Sequence, residues 1–236
     1  TASFVTKDDI ENLMSIYNIG KAPLSLALGF GEITITRYLE GQVPSKDYSR
    51  IIKTCLTSPA QMKSHLKLYK DKLTVTAYKK AWTAAGSIEK MFSVSDKMRR
   101  VIACLFEALE EVTPLMLQKL LYFIQGIYLA SYEKPIFDED CEAWVHGPVY
   151  PKVYEMFKDF KYNPIDDARY AMLKGTDHTL TEEEKKVIDL VVNTFGLYGG
   201  KVLERITHSE EPWINARRGY ADGIPSNELL PKTETT

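Results

Sequence analysis

At 236 residues the chain has room for one large domain or two modest ones, each with its own core. Its formal net charge of −2 points to no partner class when averaged over the whole chain. Three widely spaced cysteines, Cys55, Cys104 and Cys141, contain no CxxC pair and so exclude a disulfide framework and a zinc ribbon.

No apolar run reaches the roughly 18 residues of a membrane span and no signal peptide is visible, so a soluble, cytoplasmic protein without membrane contact is expected. The chain opens on Thr1 rather than Met, which fits a trimmed sequence lacking an upstream segment. Charge is uneven along it. Residues 1–92 carry 13 Lys+Arg against 8 Asp+Glu, a net of +5, and residues 93–236 carry 17 against 24, a net of −7. That asymmetry suggests two domains, the first suited to a polyanion and the second to a basic protein.

In chain order, Thr6-Lys-Asp-Asp9 reads as an N-cap with an acidic third position, opening a helix with Ile10, Leu13, Met14 and Tyr17 on one face. Pro23 starts a short helix to Leu28, and the Gly29-Phe30-Gly31 turn leads into another from about Glu32 to Leu39. Two short helices joined by a glycine turn are the sequence form of a helix-turn-helix. A further helix, Asp47 to Leu56, completes a domain over 1–56. Residues 57–92 read as a helical connection, with helices at Gln61–Lys70 and Thr74–Lys90.

Beyond the connection, Ser95 caps a helix through Leu109. Thr113-Pro114 caps one that is apolar on nearly all sides, the expected centre of a core. Cys104 falls on the apolar face of its helix and is expected to be core as well. Ile136–Glu139 and Cys141–Val145 alternate and are expected to pair as a small hairpin. Helices follow at Lys152–Phe160, from a Thr181 cap to Phe195, from Tyr198-Gly-Gly200 to Thr207, and over Glu211–Arg217. The second domain spans 93–231, and 232–236 is an expected disordered tail. The fold class is mainly α, an N-terminal helix-turn-helix plus a larger helical domain with a small β-hairpin.

Several uncommon residues recur in a recognisable order: Leu117-Gln-Lys-Leu-Leu-Tyr-Phe123, Glu142-Ala-Trp144, His146-Gly-Pro148, Pro151-Lys-Val-Tyr154, and a tail from His208 through Trp213 to Gly219. Together they resemble the Panacea (SocA-like, phage-associated) domain of bacterial and phage antitoxins, over most of Ser95–Pro231. The resemblance implies a protein that neutralises a toxin by binding it. The paired toxins have unrelated folds, so the toxin is not named by it, and delivery of the toxin to a protease stands beside occlusion.

Two candidate surfaces follow. Ile33–Gly41 resembles the recognition helix of helix-turn-helix antitoxins and phage-type repressors. Helical spacing turns Thr34, Thr36 and Arg37 outward, with Lys46 placed for phosphate. Arginine suits guanine and threonine suits phosphate or a thymine methyl, while Glu32 opposes phosphate approach. The alternative is a three-helix unit that only dimerises. The second surface is the Trp144–Tyr154 stretch with Trp213–Arg217. Trp144 and Tyr154 are expected to fill the core, and His146, Tyr150, Asn215 and Arg217 to anchor the toxin as exposed residues. Gly147-Pro148 is expected to make the turn between them.

Catalysis has little support. His65, His146, His178 and His208 are scattered, with no nucleophile elbow, phosphate loop or metal-ligand spacing. No enzyme activity, cofactor or metal is therefore expected. The function that follows is an antitoxin with a cognate toxin and operator DNA as partners, as a possible homodimer. The alternatives are a transcription regulator without a toxin, or an adaptor that delivers a partner to a protease.

Overall fold

The computed structural model describes residues 4–165 and 180–232, so His178 and all of the expected tail except Lys232 lie outside the described residues. The chain divides into two compact units, Thr1–Lys90 and Met91–Thr236. It is mainly helical, with one two-stranded antiparallel sheet among the described residues.

The first unit begins with α1 (Lys7–Ile16), which buries Ile10, Leu13 and Ile16. Thr6 and Asp9 close a reciprocal capping box. The Asp9 amide donates to Thr6 Oγ1 at 3.1 Å, and the Thr6 amide donates to Asp9 Oδ2 at 2.8 Å. Helices α2 (Lys21–Ala27) and α3 (Thr34–Leu39) are joined through Gly29, whose φ is +80°. The Tyr69 ring fills the space a side chain would need there, since a Cβ would meet it at 2.5 Å. Only glycine satisfies both conditions. The Ser25 hydroxyl, fully buried, accepts from the Ile35 amide at 3.0 Å and ties α2 to α3. Helix α3 starts two residues later than periodicity suggests, because Gly31–Ile33 forms a turn closed by Thr34 N–H to Gly31 O.

Ser45 caps α4 (Lys46–Thr57), Tyr48 stacks on Phe30 at 3.9 Å, and Tyr17 donates to the Cys55 carbonyl at 2.7 Å. Helix α5 (Pro59–Leu68) then packs on both α4 and α2, burying Met62 and Leu66. In α6 (Val75–Met91), Ala81, Ala85 and Ile88 are buried at helical spacing. Residues 57–90 are thus part of the first unit's own body rather than a connection beside it.

In the second unit, α7 (Asp96–Ala108) is capped by Ser95 and α8 (Pro114–Tyr132) by Thr113, with Pro114 in the first turn where its missing N–H is harmless. Cys104 lies half-buried at the edge of the core rather than within it. Strands β1 (Glu142–Trp144) and β2 (Gly147–Val149) form the hairpin, followed by α9 (Pro151–Phe157). Then come α10 (Glu182–Phe195), opened by a Thr181–Glu184 capping box, α11 (Gly200–Thr207) and α12 (Glu211–Ala216). Helix α8 touches α9, α10, α11 and β2 and is the centre of the core.

The hairpin differs from the expected one. Its strands pair Glu142 with Val149, Ala143 with Pro148 and Trp144 with Gly147, so Val145-His146 is the turn and Gly147-Pro148 lies in a strand. The expected partner run, 136–139, is unavailable for pairing. The Gln125 side chain accepts from the Ile136 and Phe137 amides, both at 3.0 Å, and donates to the Phe137 carbonyl at 3.3 Å. Residues 228–230 return instead along β1, with Ala143 N–H to Glu228 O and Leu230 N–H to Cys141 O, both at 2.8 Å. Pro148 is tolerated because it faces Ala143, whose own backbone groups point away from it toward other partners.

Candidate partner-binding surface

The hairpin is held from beneath by polar side chains of an otherwise apolar helix. Lys119 on α8 is fully buried and donates from Nζ to the Pro148 carbonyl at 2.9 Å. Burial pulls its pKa from 10.5 down to about 7. Its neighbour Gln118 accepts from the Tyr150 amide at 2.7 Å and donates to the Tyr150 carbonyl at 3.4 Å. Gly147, at φ +94°, leaves room for this arrangement. A Cβ there would stand 2.8 Å from both Lys119 Nζ and Thr207 Oγ1.

From the other side, Arg217 donates to the Ala143 carbonyl at 3.0 Å and the Ile224 carbonyl at 2.6 Å, while Trp213 Nε1 donates to the Trp144 carbonyl at 3.0 Å. The Arg217 guanidinium lies over the Trp213 and Tyr220 rings, at 5.3 and 5.6 Å. Between these supports the hairpin turn overhangs a cavity of about 670 Å³, whose rim includes His146, Ile214, Arg218 and Tyr220. His146 Nδ1 lies 2.9 Å from Glu204 Oε1, and Lys201 lies 2.8 Å from the other carboxylate oxygen. Burial raises the Glu204 pKa, but its bonds to Lys201 and His146 outweigh that, so the carboxylate titrates below its usual value. His208 stacks on Trp213 at 4.1 Å, and burial lowers its pKa below 6.5.

The structure separates the four expected toxin anchors. His146, with 68% of its side chain exposed, and Asn215 lie at the surface. Tyr150 and Arg217 do not, since 1% and 8% of their surfaces reach solvent. Their expected role as exposed anchors is therefore corrected. Tyr150 packs edge-on to Phe137, and Arg217 is tied to backbone. The two expected core aromatics are corrected the opposite way. Trp144 is half-buried and donates to Glu142 at 2.7 Å, and Tyr154 is 36% exposed, edge-on to Trp144 at 5.0 Å. Nothing in residue type distinguished these pairs. Of the missed residues, Gln118 and Lys119 carried one signal, polar groups at positions whose helical neighbours are apolar, whereas Glu204, with Gly200, Lys201, Thr207 and His208 around it, carried none.

In the first unit, Arg37 and Lys46 are exposed, Thr34 and Thr36 half-buried, and Ile35 and Tyr38 inward. Among the described residues no group of three or more His, Cys, Asp or Glu is placed to hold a metal ion.

Residues 117–214 match a known domain family. Its description is antitoxin SocA-like, Panacea domain. The chain is also similar to antitoxin SocA of Caulobacter vibrioides (strain NA1000 / CB15N), at 46% identity over 109 residues. That alignment covers 43% of this chain and 58% of the relative. No solved structure matches. The Panacea-like segment runs from Leu117 on α8 to Ile214 on α12, so it contains the hairpin, its supports Gln118, Lys119 and Trp213, and the exposed His146. Asn215 and Arg217 fall just beyond it, and the whole first unit lies outside it.

Proposed function

We propose that this chain is an antitoxin that binds a cognate toxin through its second unit and needs no chemistry of its own to do so. The observation that carries this reading is the match of residues 117–214 to the SocA-like antitoxin family. The rim around the hairpin turn supports it. His146, Ile214, Arg218 and Tyr220 are exposed there, a mixture of aromatic, aliphatic and cationic groups of the kind that dominate protein interfaces, and Asn215 is exposed beside Ile214. A standard interface of roughly 1,200–2,000 Å² suffices to occlude a toxin's active site. The acidic balance of residues 93–236 favours a basic-faced toxin, such as one acting on nucleotides or RNA. Delivery of the bound toxin to a protease uses the same contact.

The first unit is proposed to bind operator DNA as a dimer, with Arg37 on a base, Thr34 and Thr36 beside it, and Lys46 on phosphate. Exposure of Arg37 and Lys46 and the net charge of +5 over residues 1–92 support this. The alternative, a regulator without a toxin, needs the first unit alone.

Co-expression with a toxic neighbouring reading frame tests the main reading. Rescue by the full chain is expected, along with loss of toxin affinity by roughly tenfold or more in His146→Ala or Arg218→Ala at nearly unchanged melting temperature. No rescue and no binding sinks it. For DNA, anisotropy of the full chain on its own promoter is expected to show tighter binding than on random duplex, with Arg37→Ala relaxing sequence preference. Equal affinity for both duplexes leaves the first unit as an oligomerisation module.

A further inference from the structure

A second cleft, of about 610 Å³, lies between α8, α12 and the returning segment 229–232. Its walls are apolar, with Phe123, Ile127 and Leu129 from α8 facing Leu229 and Leu230. Two polar features stand out against them. Tyr150 lines the cleft, and its buried hydroxyl has no hydrogen-bond partner in the fold. Cys141, Glu139 and Tyr122, the ionisable groups nearest in effect to that phenol, line the same cleft. Buried polar groups are nearly always bonded, so an orphan on a residue that lines a cleft marks a position an occupant would fill.

The second feature is charge. Glu210 and Glu211 line the cleft and make no side-chain hydrogen bond or ion pair among the described residues. Lys232, the cation in the lining, is already bound to the Asp138 carbonyl and to Asp140. The cleft thus offers apolar walls, free carboxylates and a phenol oxygen with vacant lone pairs. An arginine or lysine side chain matches all three, with its stem on the leucines, its charge beside Glu210 and an N–H donated to Tyr150.

We propose that this cleft receives a basic side chain, flanked by apolar residues, from a partner polypeptide. The proposal rests on the antitoxin reading and deepens it, naming the toxin as the partner and an exposed Arg or Lys as what it inserts. The net charge of residues 93–236, 17 Lys+Arg against 24 Asp+Glu, steers such a partner toward the second unit.

The test is a calorimetric titration of the full chain with acetyl-Leu-Arg-Leu-amide, against acetyl-Leu-Glu-Leu-amide as the acidic comparator. Saturable one-site binding of the basic tripeptide alone is expected, weakened about tenfold by Glu210→Gln and about fivefold by Tyr150→Phe. Tyr150→Phe removes a hydroxyl that no group in the fold uses, so its melting temperature stays level or rises and lost affinity is not misfolding. Absence of saturation, equal binding of both peptides, or unchanged affinity in both variants overturns the cleft. Toxin co-expression separates the layers. If both variants neutralise as well as the parent chain, the cleft is not the toxin's docking point while the antitoxin reading stands. A parent chain that rescues no neighbouring toxin overturns the reading beneath it.

Discussion

Among the described residues the first unit buries two polar side chains, Ser25 and Ser49, whereas the second buries nine, including Arg99, Gln118, Lys119, Gln125 and Arg217. The first is built from regular helices that satisfy their own backbone groups, leaving caps to finish the ends. The second contains the irregular run 133–149 and a returning segment, whose amides and carbonyls have no helical partner. Gln125 serves residues 136 and 137, Gln118 serves 150, Lys119 serves 148, and Arg217 serves 143 and 224. The contrast teaches that the polar residues most characteristic of the second unit are scaffolding. What they position between them, His146 at the turn and the α12 rim, is left exposed.

The largest test of that contrast is Arg217→Ala. Two charge-assisted bonds vanish, one to the buried Ala143 carbonyl and one to the part-buried Ile224 carbonyl, and the second unit is expected to lose about 3–5 kcal/mol. Arg218→Ala, at an exposed neighbour, is expected to change stability by no more than about 0.5 kcal/mol. Denaturant unfolding of the full chain reads both, and equal effects would break the distinction between scaffold and surface.

Gly29→Ala is the counterpart in the first unit, where a backbone at φ +80° and the Tyr69 ring both resist a Cβ. A loss of about 2–3 kcal/mol is expected, confined to the first unit's unfolding. Rescue by adding Tyr69→Ala would show how much of it is steric.

Lys119 makes the second unit's stability depend on pH. Its folded pKa is depressed from 10.5 to about 7, so between those values the unfolded chain binds more protons and stability rises with pH. Below pH 7 both states are protonated and the penalty is fully present. Above pH 9 the Cys141 thiol, pushed up by burial from 9 to about 12, acts in the opposite direction. The clean window is therefore pH 7–9, with an expected gain of roughly 2 kcal/mol that Lys119→Met flattens. An unchanged slope in that variant would assign the effect elsewhere.

Capping is the smallest effect and the one both units share. Thr6→Ala and Thr181→Ala are each expected to cost about 1 kcal/mol in their own unit.

What the sequence disclosed divides along the same line. Helix starts at Thr6 and Thr181 were legible because a cap and its acidic partner sit three residues apart, and those at Ser95 and Thr113 because a hydroxyl cap stands before Asp96 and Pro114. Apolar residues on nearly all sides likewise exposed α8 as the core's centre. The hairpin's second strand was not legible, because the competition for residues 136 and 137 comes from Gln125 on the preceding helix. Tyr150 and Arg217 looked like surface anchors because their types favour interfaces, yet burial is decided by contacts from α8, β1 and the segment near Ile224. The extent of the first unit was hidden for a similar reason. Nothing local in residues 57–90 announces that α5 packs on α2.

The strand neighbour that closes β1 carries a kinetic consequence. Glu142 bridges Leu229, a separation of 87 positions along the chain. Closure over that distance is a slow, late event, whereas the helices of residues 1–90 meet through nearer neighbours. During synthesis the first unit is complete while β1 still presents an open edge, the kind of edge that pairs with other chains. Aggregation of nascent or freshly diluted protein is thus expected to begin at residues 142–149, ahead of any exposed patch on the finished fold.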